Sequence, residues 1–220
     1  MINFSILITT RNRVQMLDNL LQSIYEHTLD KQSTEIHVIY DTDDTITDGF
    51  IKQVFLPRYG NQPPITTYFH YRIRSTNLVQ DYHNLYAKKF ANGKYIMFVN
   101  DDALFELNGW DNKAMEKLTN YERKYPDGIL YGIPEDFEHE PKRQAHNWMA
   151  CFPLVSKKDI EVLGYAFDPE FFRDGADWAL AATYYSIDRV VDLRDCIIIK
   201  HLSFRSGRRE KDGLDYYSRE

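Results

Sequence analysis

The stretch "FSILIT" (4–9) is a short apolar run rich in β-branched residues. Behind it Val14, Leu17, Leu21 and Ile24 recur at three- and four-residue spacing. The first pattern predicts a strand and the second predicts one face of an amphipathic helix. The alternation continues along the chain. "EIHVIYD" (35–41) predicts a second strand ending in the acid-rich "DTDDTITDG", and a helix follows through Phe50 to Phe55, stopped by Pro57. "ITTYFHYRI" predicts a strand behind the Pro63–Pro64 loop, and "LVQDYHNLYAKKFANG" a helix capped at Gly93 that leads into the strand "KYIMFV". The second half is less regular. "GWDNKAMEKLTNYERKY" predicts a helix, Ile129 to Tyr131 a short strand, "EDFEHEPKRQAHN" a polar loop and "WMACFPLVS" a buried strand. Helices are expected from the N-cap Ser156 to Gly164 and over "DGADWALAATYY", with two closing strands in "RVVDLRDCIIIKHLSF".

Strands alternating with helices imply right-handed crossovers and an α/β fold, a mostly parallel central sheet with helices on both faces. The uninterrupted run Tyr95 to Val99 suits a central strand of such a sheet. It ends in Asn100, Asp101 and Asp102. Ligands of open α/β sheets bind beyond the carboxyl ends of the strands, where these residues stand. Two adjacent carboxylates repel unless a positive charge sits beside them, and a divalent metal holding a phosphate is the economical candidate.

A chain of 220 residues suits one domain, whose core buries roughly 70% of the unfolded surface. A net charge of −6 disfavours a protein that holds polyanions by bulk electrostatics, so nucleic acid is not an expected partner. Only the end of the chain, "RSGRREKDG", is locally basic. Cys151 and Cys196 show no metal or redox spacing. With no apolar stretch long enough for a signal core or a membrane span, the chain reads as cytoplasmic, with peripheral membrane contact as its only route to a lipid surface. Aromatic residues reach 15%, enough to supply stacking faces for sugars or bases as well as core packing.

Four stretches in order, "SILITTRNR", "EIHVIYDTDDTITDG", "NGKYIMFVNDDALF" and "LGYAFDPEFFRDGADWAL", resemble the GT-A glycosyltransferases, in particular the family-2-like inverting enzymes. The resemblance runs from Phe4 to about Ser203. It implies a single GT-A domain over 1–220: a nucleotide-sugar-binding half to about residue 102, an acceptor and catalytic half with a smaller sheet over about 103–203, and a basic flexible tail over 204–220. It implies a metal-assisted transfer of a sugar from a nucleotide-diphosphate donor, UDP-sugars favoured, to a glycan or other hydroxyl acceptor, with Mn2+ or Mg2+ as cofactor. By similarity Asp102 is the metal ligand, joined by His201, and Asp101 contacts the ribose or the metal's waters. Asn100 replaces the more usual aspartate at the first position of the motif. Thr9, Thr10, Arg13, Asp41, Asp43 and Asn84 complete the donor pocket. Asp177 is the base that takes the acceptor's proton, with Asp174 as its rival, because the family's other acids are here Ala176 and Ala179. Trp148 and Trp178 offer stacking faces to the acceptor, and Arg205, Arg208 and Arg209 form a lid over the diphosphate. Two other readings stay open at this level. Nucleotidyl transfer uses similar acids but usually a glycine-rich loop where this chain has "TTRNRVQ", and a non-catalytic nucleotide- or glycan-binding domain would tolerate the two alanines.

Overall fold

A computed structural model describes residues 1–60, 62–136, 148–172, 175–203 and 207–210. The first apolar run forms β1 (Phe4–Thr9) and the periodic segment behind it α1 (Val14–His27). β2 (Thr34–Asp41), β3 (Thr66–Arg72) and β4 (Tyr95–Asn100) follow as expected. Beyond them lie β5 (Ala103–Phe105), α5 (Trp110–Lys124), β6 (Tyr131–Ile133), β7 (Leu154–Ser156), α6 (Lys157–Leu163), α7 (Ala176–Ser186), β8 (Val190–Asp192) and β9 (Ile199–His201).

Seven strands make one sheet in the order β3-β2-β1-β4-β7-β6-β8. The β3-β2-β1-β4 half is parallel, β7 runs antiparallel to both β4 and β6, and β6 pairs parallel with β8. β4 is the middle strand and is buried except at its last residue, Asn100. Successive residues of β1 feed opposite faces, as strand geometry requires. Phe4, Ile6 and Ile8 pack with Leu17, Leu21 and Ile24 of α1, while Leu7 joins Val79, Tyr82, Phe98, Leu180 and Tyr184 on the other face. Trp110 is fully buried at the head of α5, against Phe4 and Phe105, with its indole N–H donated to Thr28 Oγ1 at 3.0 Å. β5 and β9 form a separate antiparallel pair, Ala103 opposite His201.

Several expected elements differ. Pro57 does not stop the helix behind β2. α2 (Thr45–Phe50) passes through a π turn (Ile51–Phe55) into α3 (Leu56–Tyr59), with Pro57 in its first turn, where a missing N–H costs least, and Gly60 at φ +58° ends it. The next helix is a π stretch (Val79–Asn84) continued by α4 (Leu85–Lys89), and it closes at Phe90 rather than Gly93. Gly93 is small for another reason. A Cβ there would lie 2.4 Å from the Ser5 backbone nitrogen, and the Gly93 N–H donates to Ser5 Oγ at 2.7 Å. The strand expected at Ile129 to Tyr131 begins at Tyr131, and only the last three residues of "WMACFPLVS" are extended. Trp148 therefore lies outside any strand. Most of the polar loop after Glu135 lies outside the described residues.

Candidate active site

The strand order reverses between β1 and β4, which leave β2 on one side and β7 on the other. That switch point opens a crevice at the carboxyl ends of the parallel strands. β1 and β4 are in register there, Thr9 opposite Asn100, and Thr9 Oγ1 donates to Asn100 Oδ1 at 3.2 Å. One residue on, Thr10 Oγ1 donates to Asp101 Oδ2 at 2.8 Å and Arg13 Nη1 lies 3.3 Å from Asp101 Oδ1. Burial, reinforced by the neighbouring Asp102, outweighs Arg13 and Thr10 and pushes the Asp101 pKa up to about 6.

Asp102 faces a different set of partners. Burial opposes its ionisation too, but His201, Arg13 and Arg209 together hold its carboxyl below the usual range. His201 reaches it because β5 and β9 pair one residue further along, and the Leu202 N–H closes the ladder onto the Asp102 carbonyl at 2.7 Å. His201 Nε2 sits 3.5 Å from Asp102 Oδ1, and Arg209 Nη2 sits 3.4 Å from Asp102 Oδ2. Arg208 Nη1 donates to the His201 carbonyl at 3.0 Å. Asp102 Oδ1 is buried with no hydrogen bond satisfying it among the described residues. A carboxylate oxygen in that state is a ligand that magnesium or manganese accepts, and the imidazole beside it suits manganese better than magnesium. Among the described residues no three such side chains converge on one point, so solvent or substrate oxygens would complete the shell.

At the end of β2, Asp41 and Asp43 are brought together by Arg11. Its guanidinium lies 2.7 Å from Asp41 Oδ2 and binds both oxygens of Asp43 at 2.6 and 2.9 Å. Tyr82 donates its phenolic proton to Asp41 Oδ1. The next acid, Asp44, caps α2 through the Thr47 N–H at 2.8 Å and receives the Asn12 N–H at 2.9 Å, which holds Asn12 at φ +56° and bends the loop after β1 into the crevice. Asn84 faces elsewhere. Its Oδ1 accepts from the Ala166 and Phe167 N–H groups, each at 2.9 Å, and its Nδ2 donates to the Phe167 carbonyl at 2.7 Å. The side chain named as a donor contact braces the loop before α7.

α7 begins at Gly175, φ +84°, and carries Asp177 in its first turn, where the Trp178 N–H donates to Asp177 Oδ1 at 2.9 Å. Asp177 and Asn100 line one cavity of about 150 Å³, together with His83, Phe98, Cys151 and Phe167. The expected base and the metal-motif strand thus share a wall. Trp148 and Trp178 meet edge to face, ring centres 4.9 Å apart, beside this cavity's helix. Asp174 and Arg205 lie outside the described residues. Sequence reasoning missed Tyr82, His83 and Asp136. Asp136 accepts the Cys151 N–H at 2.7 Å and the His201 N–H through its carbonyl at 3.2 Å, linking the cavity to the small sheet. A lone acid beside a polar loop carries no pattern that would single it out.

A sheet with this order, acids at its switch point and a small second sheet bringing a histidine to them is a GT-A fold, the class that binds nucleotide sugars. The chain belongs to the family described as Glycosyl transferase family 2, whose profile matches residues 5–181. No curated protein sequence matches it. Among solved structures, residues 1–349 of S. aureus TarS in complex with UDP superpose with a TM-score of 0.66 at 16% identity, covering 90% of this chain and 60% of that one. The same TarS fragment in complex with UDP-GlcNAc gives 0.65 and 16%, over 98% and 64%. The mannosyltransferase PcManGT from Pyrobaculum calidifontis, in complex with GDP-Man and Mn2+, gives 0.65 and 14%, over 90% and 56%. This chain spans about 60% of the length of the TarS fragment. No helix among the described residues is long and apolar enough to cross a membrane.

Proposed function

We propose that this protein is an inverting, metal-assisted glycosyltransferase that moves a sugar from a nucleotide-diphosphate donor, most favourably a UDP-sugar, to an acceptor hydroxyl. The observation that carries the reading is the shared cavity: Asp177 from the acceptor side and Asn100 from the donor strand line one space, and Asp102, paired with His201, follows Asn100 two residues along the chain. TarS with UDP and UDP-GlcNAc, and PcManGT with GDP-Man and Mn2+, support a nucleotide-sugar donor in this crevice.

In this mechanism the donor's base and ribose lie over β2, against Asp41 and Asp43, which Arg11 holds in place. Thr9 holds the Asn100 amide, Thr10 holds the Asp101 carboxylate, and Arg13 stands beside Asp101. Asp102 and His201 would hold a magnesium or manganese ion, which supplies charge to the departing diphosphate. Arg208 and Arg209 lie on the same side and add to that charge. Asp177 accepts the acceptor's hydroxyl proton as the oxygen bonds to the anomeric carbon and the bond to the diphosphate breaks with its electron pair. A single displacement of this kind inverts the anomeric centre. Trp148 and Trp178 give the acceptor an aromatic edge to stack on.

The test pairs two variants. Asp177→Asn is expected to bind nucleotide sugar with manganese as the wild type does but to transfer about 10²–10⁴-fold more slowly. Asp102→Ala is expected to lose the manganese-dependent part of nucleotide binding, read by calorimetry with and without EDTA. Wild-type turnover in Asp177→Asn would sink the assignment of the base, and unchanged metal dependence in Asp102→Ala would sink that of the metal ligand.

A further inference from the structure

His83 occupies the cavity wall between two anchored neighbours. Tyr82 is tied to Asp41 by its phenol, and Asn84 is tied by three hydrogen bonds to Ala166 and Phe167. All three residues lie on the π stretch, a departure from the α-helix that is frequent at functional sites. The imidazole lines the cavity, where it packs edge-on to Phe98 with ring centres 5.4 Å apart and tilts against Phe167 at 5.3 Å. Its Nδ1 is covered and makes no hydrogen bond among the described residues, while the ring as a whole is only half-buried, which leaves its Nε2 side to the cavity. Burial also holds the ring's pKa down to about 4, so it is neutral near pH 7. A neutral imidazole in a wall that is part aromatic and part polar suits a group that hydrogen-bonds without carrying charge.

We propose that His83 is the specificity-determining contact for the transferred sugar, its Nε2 hydrogen-bonding one hydroxyl of a single pyranose ring seated in this cavity. The inference rests on the glycosyl-transfer reading and goes further by naming the residue that reads the sugar. The size admits a ring, since a cavity of about 150 Å³ takes one as large as benzene, and the outer substituents of a pyranose would lie at its open mouth. The wall chemistry is also right. Phe98 and Phe167 meet at 4.8 Å and give the ring's C–H surface an aromatic corner, while Asn100 and Asp177 border the same space from the strand end and the helix. A phosphate would require a charged donor here, and the nucleoside lies across the crevice at Asp41 and Asp43. A hydroxyl matches either tautomer, because it both donates and accepts.

The experiment measures binding of UDP, GDP, UDP-glucose, UDP-N-acetylglucosamine and GDP-mannose, each with manganese, to wild type, His83→Ala and His83→Gln. For the sugar nucleotide that the wild type binds, His83→Ala is expected to weaken binding at least tenfold while its affinity for the parent nucleoside diphosphate stays within twofold. His83→Gln is expected to recover part of the loss, because its amide also donates and accepts. Retained nucleotide binding certifies that the variant is folded. Equal weakening of both ligands would mean a structural role and overturn the proposal, and so would no weakening of either. Wild type binding none of the five would overturn the glycosyl-transfer reading and this inference with it. Wild-type binding and transfer that His83→Ala leaves untouched would overturn the inference alone.

Discussion

Asp159 is buried at the head of α6, where its Oδ2 accepts the Ser156 N–H at 3.0 Å and its own N–H is donated to Ser156 Oγ at 3.2 Å. Burial pushes its pKa up to about 6, against the pull of those hydrogen bonds and of Tyr184. An unfolded aspartate titrates near 3.9, so between about pH 4 and 6 the native state holds more protons than the unfolded chain. The stability this group contributes is complete below about pH 4 and is lost as the pH rises through 6. Thermal midpoints of wild type and Asp159→Asn, measured from pH 4.5 to 7.5, should therefore shift in favour of the wild type on acidification; parallel curves would refute the assignment. Side chains of this sort were only partly legible. Asp101 and Asp102 stand out because adjacent like charges demand an explanation, and the Ser156 cap is a local rule that reads directly. His83 carried no such mark, since a histidine in a helical stretch looks the same whether it faces solvent, core or cavity. Asn84 reads as a donor contact, and nothing local says that its partners lie more than eighty residues away.

Among the elements, the close approach of the loop before β4 to β1 depends on Gly93. Alanine there places a carbon 2.4 Å from the Ser5 backbone nitrogen, a clash that neither strand can relieve without moving. Gly93→Ala is expected to cost about 1–3 kcal/mol, by the usual penalty of overpacking. Gly49, inside α2 with open space around its missing Cβ, is the control: Gly49→Ala should be neutral or stabilising by up to about 1 kcal/mol. Denaturant melts of the two variants decide it, and equal effects would count against the close-approach account. β1 and β4 were readable as short, mainly apolar runs, and β2 and β3 by their β-branched and aromatic residues. The π turns were not, because the same apolar spacing serves either helix until tertiary anchors such as Tyr82 on Asp41 select the wider turn. The short strands β5 and β6 were blurred for a related reason: at three residues apiece they owe their extension to a partner strand rather than to their own pattern.

Taken whole, the molecule assembles its crevice from pieces far apart in sequence. Parallel strands deliver their carboxyl ends to one rim, and antiparallel β7 brings to the same rim the residues that precede it, Cys151 and Pro153. The α/β class and the position of the acids followed from strand and helix alternation. The pairing of β5 with β9, which carries His201 to Asp102, joins residues about a hundred apart and has no local signature.

Arg209 changes what occupancy of that pairing means. Its guanidinium stands 3.4 Å from Asp102, so the carboxylate already has a counter-ion supplied by the chain itself. A divalent cation arriving there takes part in an exchange, and its apparent affinity is the difference between two ionic contacts. Arg209→Ala should accordingly bind manganese alone more tightly than the wild type, by calorimetry in the absence of nucleotide, and a weaker or unchanged affinity would show that the two cations do not compete. On the proposed metal-assisted reading, an internal cation of this kind would act as a threshold, keeping the acid charged while the metal is absent and making the site respond to the free metal concentration around it.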